Sequence, residues 1–466
     1  MNAIAVAARA KRQMRGPFAG NVVARLLALA ALAAATVLVA RVGGPRLVGA
    51  FTLLRVLPAL AGVLVAAGLP TAAPYFLAAH PDHPALRRTL VALTGLGAVV
   101  ATVVWLGLSP VLHRLFFSSF SPGVVLAASA AVFSQLFVAV GKSLLQGSGD
   151  MPGANAAIVA EEAAFLPLYA VLLPLGRGTA VLLVALVAAD VAVAAGIGER
   201  LRRAGFFRGG LRVDYRLGRE ICVYGIRGQL GGLLSLVNLR LDVAILGGLA
   251  GPGVLGVYAV ASKYAELLRL PGLAVNYVLY PAFTRDGAQR ARARTRSLLP
   301  VVTGLNALGV IPLALAAAPV MLLVYGRDFD DAILPAWILL GGLVGDAAAE
   351  LIGAYLYGIR RPGLNSLAIG VGVVVTVVGD LVLIPQHGAI GAAVASVAAY
   401  LTTVGTLLVC FAATGTGRTV GRADEEAVGA AGGWRRRRRG AGVGDVAGEQ
   451  VDVARGGIGH REPAEP

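Results

Sequence analysis

The sequence predicts an all-α, polytopic membrane protein with about twelve transmembrane helices, arranged in two repeated six-helix lobes around a central cavity. Three observations lead to this fold class: an apolar composition, a series of long apolar stretches, and a Gly/Pro phrase that occurs twice. Hydrophobic residues make up 57% of the 466 residues and charged residues only 14%. With a mean hydropathy of +0.77, the chain carries more apolar surface than a soluble domain of this length needs.

The apolar stretches define the predicted helices. A helix that spans the hydrocarbon core needs roughly 20 apolar residues, and twelve such stretches follow one another along the chain, called predicted helices one to twelve below. In order they are residues 18–40, 48–77, 90–108, 122–145, 154–175, 179–197, 221–246, 254–283, 298–324, 332–357, 364–384 and 389–414.

A phrase that leads into predicted helix two returns at the start of predicted helix eight. Each residue of the first copy lies 207 positions before its counterpart in the second copy. Gly and Pro determine where helices begin and bend, so their shared spacing predicts a tandem duplication whose halves are related by an axis along the membrane normal. The matched pairs are Gly44 and Gly251, Pro45 and Pro252, Gly49 and Gly256, and Phe51 and Tyr258.

The distribution of arginine predicts the orientation in the membrane. Cytoplasmic loops carry an excess of Lys and Arg, and here arginines concentrate before helix one and in the connections after helices two, six, eight and ten. We therefore expect both termini to be cytoplasmic. The formal net charge of +16 mostly reflects this topology.

Charge and composition divide the chain into five segments. Gly and charged residues dominate the last segment, so we expect it to be disordered. Its five consecutive arginines, Arg435 to Arg439, either rest on anionic lipids or are solvated. In order, the segments are a basic N-terminus (1–17), a first lobe (18–197), a basic linker (198–220), a second lobe (221–414) and the tail (415–466).

Intramembrane cations indicate a candidate binding site. A charged side chain at the centre of a spanning helix costs about 2.5–3.5 kcal/mol, which makes each one a candidate functional residue. These cations fall in helices one, two, seven and eight, where only Asp242 and Glu266 oppose them. Because Arg binds phosphate through two parallel hydrogen bonds, a positive excess in a cavity predicts a phosphate or pyrophosphate ligand. The candidate substrate-binding residues are Arg25, Arg55, Arg227, Lys263 and Arg269.

For some of these cations a second interpretation stays open. Arg25, Arg55 and Arg227 lie near predicted helix ends, where a long side chain can instead reach the lipid headgroups. Lys263 and Arg269 lie deeper, and Glu266 is three residues from both, so a local ion cluster is possible on that helix.

Intramembrane carboxylates are candidates for gating or ion coupling. Asp242 is expected to act as a gate or ion-pair partner, and Glu266 is grouped with it. Asp346 and Glu350 share one helix face, so they form either a proton or sodium relay or structural hydrogen bonds between helices. The remaining polar residues considered are Glu161, Glu162, Asp190 and Asp380, with Gln135 and Lys142 assigned no role.

Several function classes find no support in the sequence. It contains no Walker loop, no nucleophile elbow and no paired catalytic carboxylate motif. No nucleic-acid module accompanies the basic charge. We therefore predict that the protein is not an enzyme, has no catalytic residues, and uses neither a cofactor nor a metal.

Several sequence blocks resemble a known family. Residues 41–73 resemble the first block of the O-antigen flippase branch of the multidrug/oligosaccharidyl-lipid/polysaccharide (MOP) exporter superfamily. Residues 238–285, which include Asp242, the Gly256-x-Tyr258 pattern and a Pro281-Ala282-Phe283 ending, resemble that family's seventh and eighth helices. The likeness extends over roughly residues 15–414.

The resemblance implies a flippase with two lobes around a cavity that opens alternately to each side. Its cargo would be an oligosaccharide on undecaprenyl pyrophosphate, a precursor of O-antigen, lipopolysaccharide or another surface polysaccharide. The flippase would act in the bacterial cytoplasmic membrane, beside polymerase or assembly proteins. The alternatives are a cation-coupled multidrug antiporter of the same superfamily, a polysaccharide polymerase or ligase, which the short outer loops disfavour, and a non-transporting membrane scaffold.

Overall fold

A computed structural model describes residues 3–66, 68–81, 83–208 and 213–414, with backbone alone for residues 3–19, 227–240, 277, 278, 281 and 284–286. Throughout these residues the regular structure is helical, and no strand occurs among them. The helices are α1 (Ala3–Val65), α2 (Leu69–Ala79), α3 (Leu86–Phe116), α4 (Pro122–Ala127), α5 (Ser129–Gly147), α6 (Met151–Ala163), α7 (Phe165–Leu172), α8 (Thr179–Arg203), α9 (Tyr215–Leu249), α10 (Gly251–Ala265), α11 (Leu270–Asp286), α12 (Ala288–Pro319), α13 (Ile333–Gly342), α14 (Asp346–Gly358) and α15 (Pro362–Ala413). Short 3₁₀ segments at Leu173–Leu175, Glu266–Arg269, Arg327–Ala332 and Leu343–Gly345 and a π segment at Val320–Tyr325 join some of them.

Two glycines break the longest helices where the sequence predicts a boundary between spans. Gly44 has φ +61° inside α1, and Gly388 has φ +54° inside α15. A side chain disfavours this backbone region. Each break falls between two predicted helices, one and two in α1, and eleven and twelve in α15.

Eight helical stretches in the described part of the chain are long and apolar enough to cross a membrane. Two of them, Gly20–Val65 and Pro362–Ala413, have 46 and 52 residues, about twice what one crossing requires. The predicted spans 221–246 and 254–283 are helical but are not among the eight, and both carry charged residues. The multi-pass helical fold is thus confirmed, while the count of twelve stays a prediction.

The duplicated phrase forms a reciprocal contact between α1 and α10. A methyl group added at Gly49 would lie 2.6 Å from the carbonyl carbon of Pro252. A methyl group at Gly256 would lie 2.6 Å from the carbonyl carbon of Pro45. Each glycine therefore packs on the backbone of the other copy's proline, and only glycine allows the two helices to approach so closely. We call this contact the glycine crossing.

A second close contact with the predicted second half lies just after the C-terminal end of α1, where the chain touches α9. Gly68, with φ +75° between α1 and α2, lies so close to Gly225 that an added methyl group would be 2.5 Å from the Gly225 Cα. Beside it, Tyr75 of α2 stacks on Tyr224 with ring centroids 4.5 Å apart. Residues 49–68 are therefore held against the predicted second half at both ends.

Near the glycine crossing, Arg41 binds the end of the π segment. Its Nε donates to the carbonyl of Val324 over 2.8 Å, and its Nη2 donates to the carbonyl of Leu323. A cation at a helix C-terminus satisfies carbonyls that have no partner within the helix. This contact joins the part of α1 just before the break at Gly44 to the predicted second half.

One large aromatic residue connects α3 to α4. Trp105 is buried, and its Nε1 donates to the carbonyl of Val125 over 2.8 Å. Phe117 packs edge-on against it. The indole thus fills apolar space and satisfies its single donor at once.

By the density of contacts the chain separates into two units, Met1–Cys410 and Phe411–Pro466. All contacts discussed here belong to the first unit. The predicted tail, 415–466 with Arg435 to Arg439, lies outside the described residues. The division of the first unit into lobes at 18–197 and 221–414 stays a prediction.

Candidate substrate cavity

A cavity of about 260 Å³ opens between α1, α5, α6, α7, α8 and α10. Its walls are mostly apolar, formed by residues such as Leu32, Phe51, Val56 and Phe165. Several polar side chains project into it, which is the usual character of a ligand site. These are Thr52, Arg55, Gln135, Glu161, Glu162, Asp190 and Lys263.

The glycine crossing explains why cations from distant parts of the sequence share this cavity. Arg55 follows Gly49 by six residues, and Lys263 follows Gly256 by seven. Six or seven residues are just under two helical turns. Both side chains therefore lie at nearly the same distance along their helices from the crossing, and both line the cavity.

Arg55 is held by a carboxylate from α6. Its Nη2 lies 2.7 Å from Oε1 of Glu162, with side chains 23% and 16% exposed. The guanidinium also lies over the ring of Phe51, 5.3 Å from the centroid. In such a poorly solvated place, a charge-assisted hydrogen bond is stronger than at the surface.

The two glutamates of α6 bind cations on different helices. Glu161 pairs with Lys142 of α5, whereas its neighbour Glu162 pairs with Arg55 of α1. Consecutive helical residues point about 100° apart, so α6 can serve two neighbours at once. On α8, Asp190 accepts a hydrogen bond from Ser134 over 3.0 Å.

The prediction of an excess of positive charge is therefore wrong for this cavity. Arg55 and Lys263 line it together with Glu161, Glu162 and Asp190. The sequence analysis compared cations only with acids of the same helix pairs, whereas the tertiary packing brings carboxylates from α6 and α8. The sequence did contain an indication of this arrangement, because each acid within a membrane needs a partner and the carboxylates on α6 and α8 had none assigned.

Gln135 and Lys142 are residues that the sequence analysis left without a role. Gln135 lines the cavity and donates from Nε2 to the carbonyl of Leu54 over 3.5 Å. Lys142 holds Glu161 at the edge of the same cluster. Because both lie in an apolar span, their polarity was the signal that could have identified them.

Of the five predicted substrate-binding residues, Arg55 and Lys263 are the two that line this cavity among the described residues. Arg25 is exposed on α1, where its Nε donates to Oδ1 of Asn21 over 3.0 Å. The side chain of Arg227 lies outside the described residues.

Four other predicted residues come together at the interface of α11 with α14. Arg269 Nε lies 3.1 Å from Oδ1 of Asp346, and Glu266 and Glu350 are close enough to interact electrostatically with this guanidinium. Asn276 donates to Oε2 of Glu350 over 2.6 Å. Arg269 therefore belongs to an ion cluster of its own and does not line the cavity described above.

Asp242 belongs to a third polar group, formed by α9, α10 and α15. The Tyr258 hydroxyl donates to Oδ2 of Asp242 over 2.7 Å and lies 2.9 Å from the Ser396 hydroxyl. Asp380 is close enough to interact electrostatically with Asp242. It is fully buried, and neither of its oxygens has a hydrogen-bond partner among the described residues.

Comparison with known sequences gives the family. A family model described as "Polysaccharide biosynthesis protein" matches residues 19–285. The probable low-salt glycan biosynthesis flippase Agl15 of Haloferax volcanii is 26% identical over 177 residues, 37% of this chain. The matched part spans 37% of the length of that relative.

Comparison with solved structures gives the fold. The lipid II flippase MurJ in an inward closed conformation has a TM-score of 0.71 and 14% identity, covering 84% of this chain and 87% of that one. An inward-facing multidrug resistance MATE family transporter of the MOP superfamily has a TM-score of 0.66 and 18% identity, with coverage of 85% and 96%. By their names, the first of these proteins is a flippase and the second is a transporter.

The family match covers more than half of the chain and includes α1, α6, α8 and α10, which line the cavity. The fold is that of a multi-pass membrane transporter. The chain therefore belongs to the polysaccharide biosynthesis protein family.

Proposed function

We propose that the protein is a flippase that moves an undecaprenyl-pyrophosphate-linked oligosaccharide across the membrane by alternating access. The observation that carries this proposal is the meeting of Arg55, from predicted helix two, and Lys263, from predicted helix eight, in a single cavity. An Arg fork and a Lys ammonium together suit a pyrophosphate, which presents several oxygens over a short distance.

The size of the cavity agrees with binding of the charged headgroup alone. Ligand pockets commonly measure about 300–1,000 Å³, and this one is about 260 Å³. A pyrophosphate fits such a space, whereas a whole oligosaccharide does not. The glycine crossing on one side and the contact of Gly68 with Gly225 on the other would have to open in turn for the sugars to pass.

The arginine distribution predicts the orientation of the protein, and the family resemblance implies the membrane and the direction of transport. In this proposal it lies in the bacterial cytoplasmic membrane with both termini cytoplasmic, and the cargo moves from the cytoplasmic to the outer leaflet. The delivered precursor of O-antigen, lipopolysaccharide or a related glycan would then pass to a polymerase or other assembly proteins.

The acids outside the cavity are the proposed coupling sites. Asp242 lies beside Asp380, which is buried and has no hydrogen-bond partner within the described part of the chain. The pair is suited to bind a proton or a monovalent cation, because two adjacent carboxylates in a dry site cannot both stay charged. Glu266, Asp346 and Glu350 would instead hold Arg269 in one conformation and release it when the transporter changes state.

The test is translocation in reconstituted liposomes. A fluorescent undecaprenyl-pyrophosphate oligosaccharide is loaded, and protection from an added quencher is measured for the wild type, Arg55→Gln and Arg202→Gln. Loss of charge-assisted hydrogen bonds to the headgroup should slow Arg55→Gln about tenfold or more. Arg202, which pairs with Glu199 on an exposed helix end, is the matched control and should leave the rate unchanged.

A second candidate function is a cation-coupled multidrug antiporter. The carboxylates Glu161, Glu162 and Asp190 in the cavity favour it, since acids suit organic cations. Efflux of a cationic dye by the wild type, without translocation of the polyprenyl probe, would select this alternative. A protein that shows neither activity would be the non-transporting scaffold.

A further inference from the structure

The cavity holds its own counter-ion where the proposed cargo would bind. Glu162 Oε1 lies 2.7 Å from Arg55, and its charge also acts on Lys263. Both cations proposed to bind the headgroup therefore interact with one carboxylate of the protein. Any anion that enters must compete with Glu162 for Arg55.

Glu162 is bound through only half of its carboxylate. Its second oxygen, Oε2, is buried and has no hydrogen-bond partner among the described residues. A buried acceptor without a partner costs free energy, so it makes the position of the Glu162 carboxylate beside Arg55 less stable. The Arg55–Glu162 pair is therefore strong enough to exclude weak competitors and incomplete enough to be replaced by a better ligand.

The surrounding charges make this competition depend on the charge of the ligand. Facing Glu162 are Arg55 from α1, Lys142 from α5, Asp190 from α8 and Lys263 from α10, with Glu161 beside it on α6. An anion with one charge would only replace the Glu162 carboxylate at Arg55 by another group of the same charge. Because Glu162 is attached to the protein, its effective concentration at Arg55 is high, and a free monoanion gains nothing by the exchange.

A pyrophosphate headgroup differs from a monoanion in both charge and reach. It carries at least two negative charges and can contact Arg55 and Lys263 together. Its binding therefore forms interactions with two cations and breaks one, the Arg55–Glu162 ion pair. A membrane protein also faces a large excess of phospholipids with a single charge. A cationic cavity without a counter-ion would fill with them.

We propose that Glu162 is a specificity-determining residue that keeps anionic phospholipids out of the cavity and admits headgroups of higher charge. This inference rests on the proposed function, and it adds the class of ligand that the site selects. Selection here comes from a repulsive group directed against the wrong ligand, a common device in specific binding sites.

The test compares two lipids on two proteins. Binding of undecaprenyl pyrophosphate, and its competition by phosphatidylglycerol, are measured in phosphatidylcholine nanodiscs for the wild type and Glu162→Gln. Glutamine keeps the shape of the side chain and can still accept from Arg55. We expect phosphatidylglycerol to compete about tenfold better or more, relative to the pyrophosphate lipid, in Glu162→Gln than in the wild type.

Two further variants secure the comparison. Glu162→Asp keeps the charge but shortens the side chain, and it should shift the ratio in the same direction by a smaller factor. Glu199→Gln, which alters an exposed ion pair with Arg202 and Arg203, should leave the ratio unchanged. Thermal unfolding of each variant shows that it is folded.

The outcomes separate this inference from the proposed function. If the wild type binds undecaprenyl pyrophosphate but the ratio in Glu162→Gln and Glu162→Asp stays within about twofold of the wild type, Glu162 does not select and only this inference is overturned. If the wild type binds neither lipid, the proposed function is overturned and this inference with it.

Discussion

Replacing Gly256 by alanine tests how the two copies of the repeat are joined. The added methyl group would lie 2.6 Å from the carbonyl carbon of Pro45 and 3.0 Å from the backbone nitrogen of Gly49. Carbon atoms pack at about 3.5–4.0 Å, and the carbonyl oxygen of Pro45 lies closer still to the added methyl group, so α1 and α10 must separate locally by at least about 1 Å. Because the obstructing atoms are backbone, no side chain can rotate away. Overpacking of this kind costs about 1–3 kcal/mol or more.

The same helix offers a matched control. Gly253 lies three residues earlier in α10, and a methyl group there would meet nothing within 4 Å. Gly253→Ala should therefore be neutral or stabilising by about 0.5–1 kcal/mol, the usual gain of alanine over glycine in a helix. The difference between the two variants should thus be about 1–4 kcal/mol in the free energy of unfolding.

The assay is equilibrium unfolding of the purified protein in mixed micelles, followed by circular dichroism, for the wild type and both variants. Liposome translocation is measured on the same preparations, because the crossing also determines the separation of Arg55 and Lys263. If Gly256→Ala unfolds at the same denaturant concentration as Gly253→Ala, the close approach of the helices is refuted.

Three further predictions concern contacts away from the cavity. Trp105→Phe should lower the free energy of unfolding by about 1–3 kcal/mol, since it removes indole volume and leaves the carbonyl of Val125 without its donor; denaturant unfolding in micelles measures this. Arg41→Gln should cost only about 0.5–1 kcal/mol, because the interaction of a cation with a helix end is weak when exposed, and the same unfolding experiment measures it. Asp380→Asn should leave the thermal unfolding temperature unchanged or raise it, because a buried charge without a partner is costly, yet it should abolish the proton or sodium dependence of liposome transport.

Each of these three has a result that would contradict it. An unchanged unfolding midpoint in Trp105→Phe would mean that the hydrogen bond to Val125 contributes nothing. A large loss of stability in Arg41→Gln would place that side chain in a buried site rather than at an exposed helix end. Transport by Asp380→Asn that still responds to the ion as in the wild type would remove Asp380 from the proposed coupling site, and Asp242→Asn would then decide whether Asp242 acts alone.

The sequence determined the helical class and the breaks between spans. These follow from local properties: the hydropathy of each stretch, and glycines that must adopt positive φ, such as Gly44 and Gly388. The repeat was equally readable, because Gly49 and Gly256 keep their spacing from Pro45 and Pro252 along the chain. None of these features depends on which helices become neighbours.

The tertiary structure alone decided the charge of the cavity. Arg55 and Glu162 lie more than a hundred residues apart in the sequence, and nothing local indicates that α6 packs against α1 at that level. The same holds for Arg269, whose partner Asp346 comes from α14 rather than from its own helix turn. Charges in a membrane must find partners, but the sequence shows only that a partner is needed, while helix packing determines which one it is.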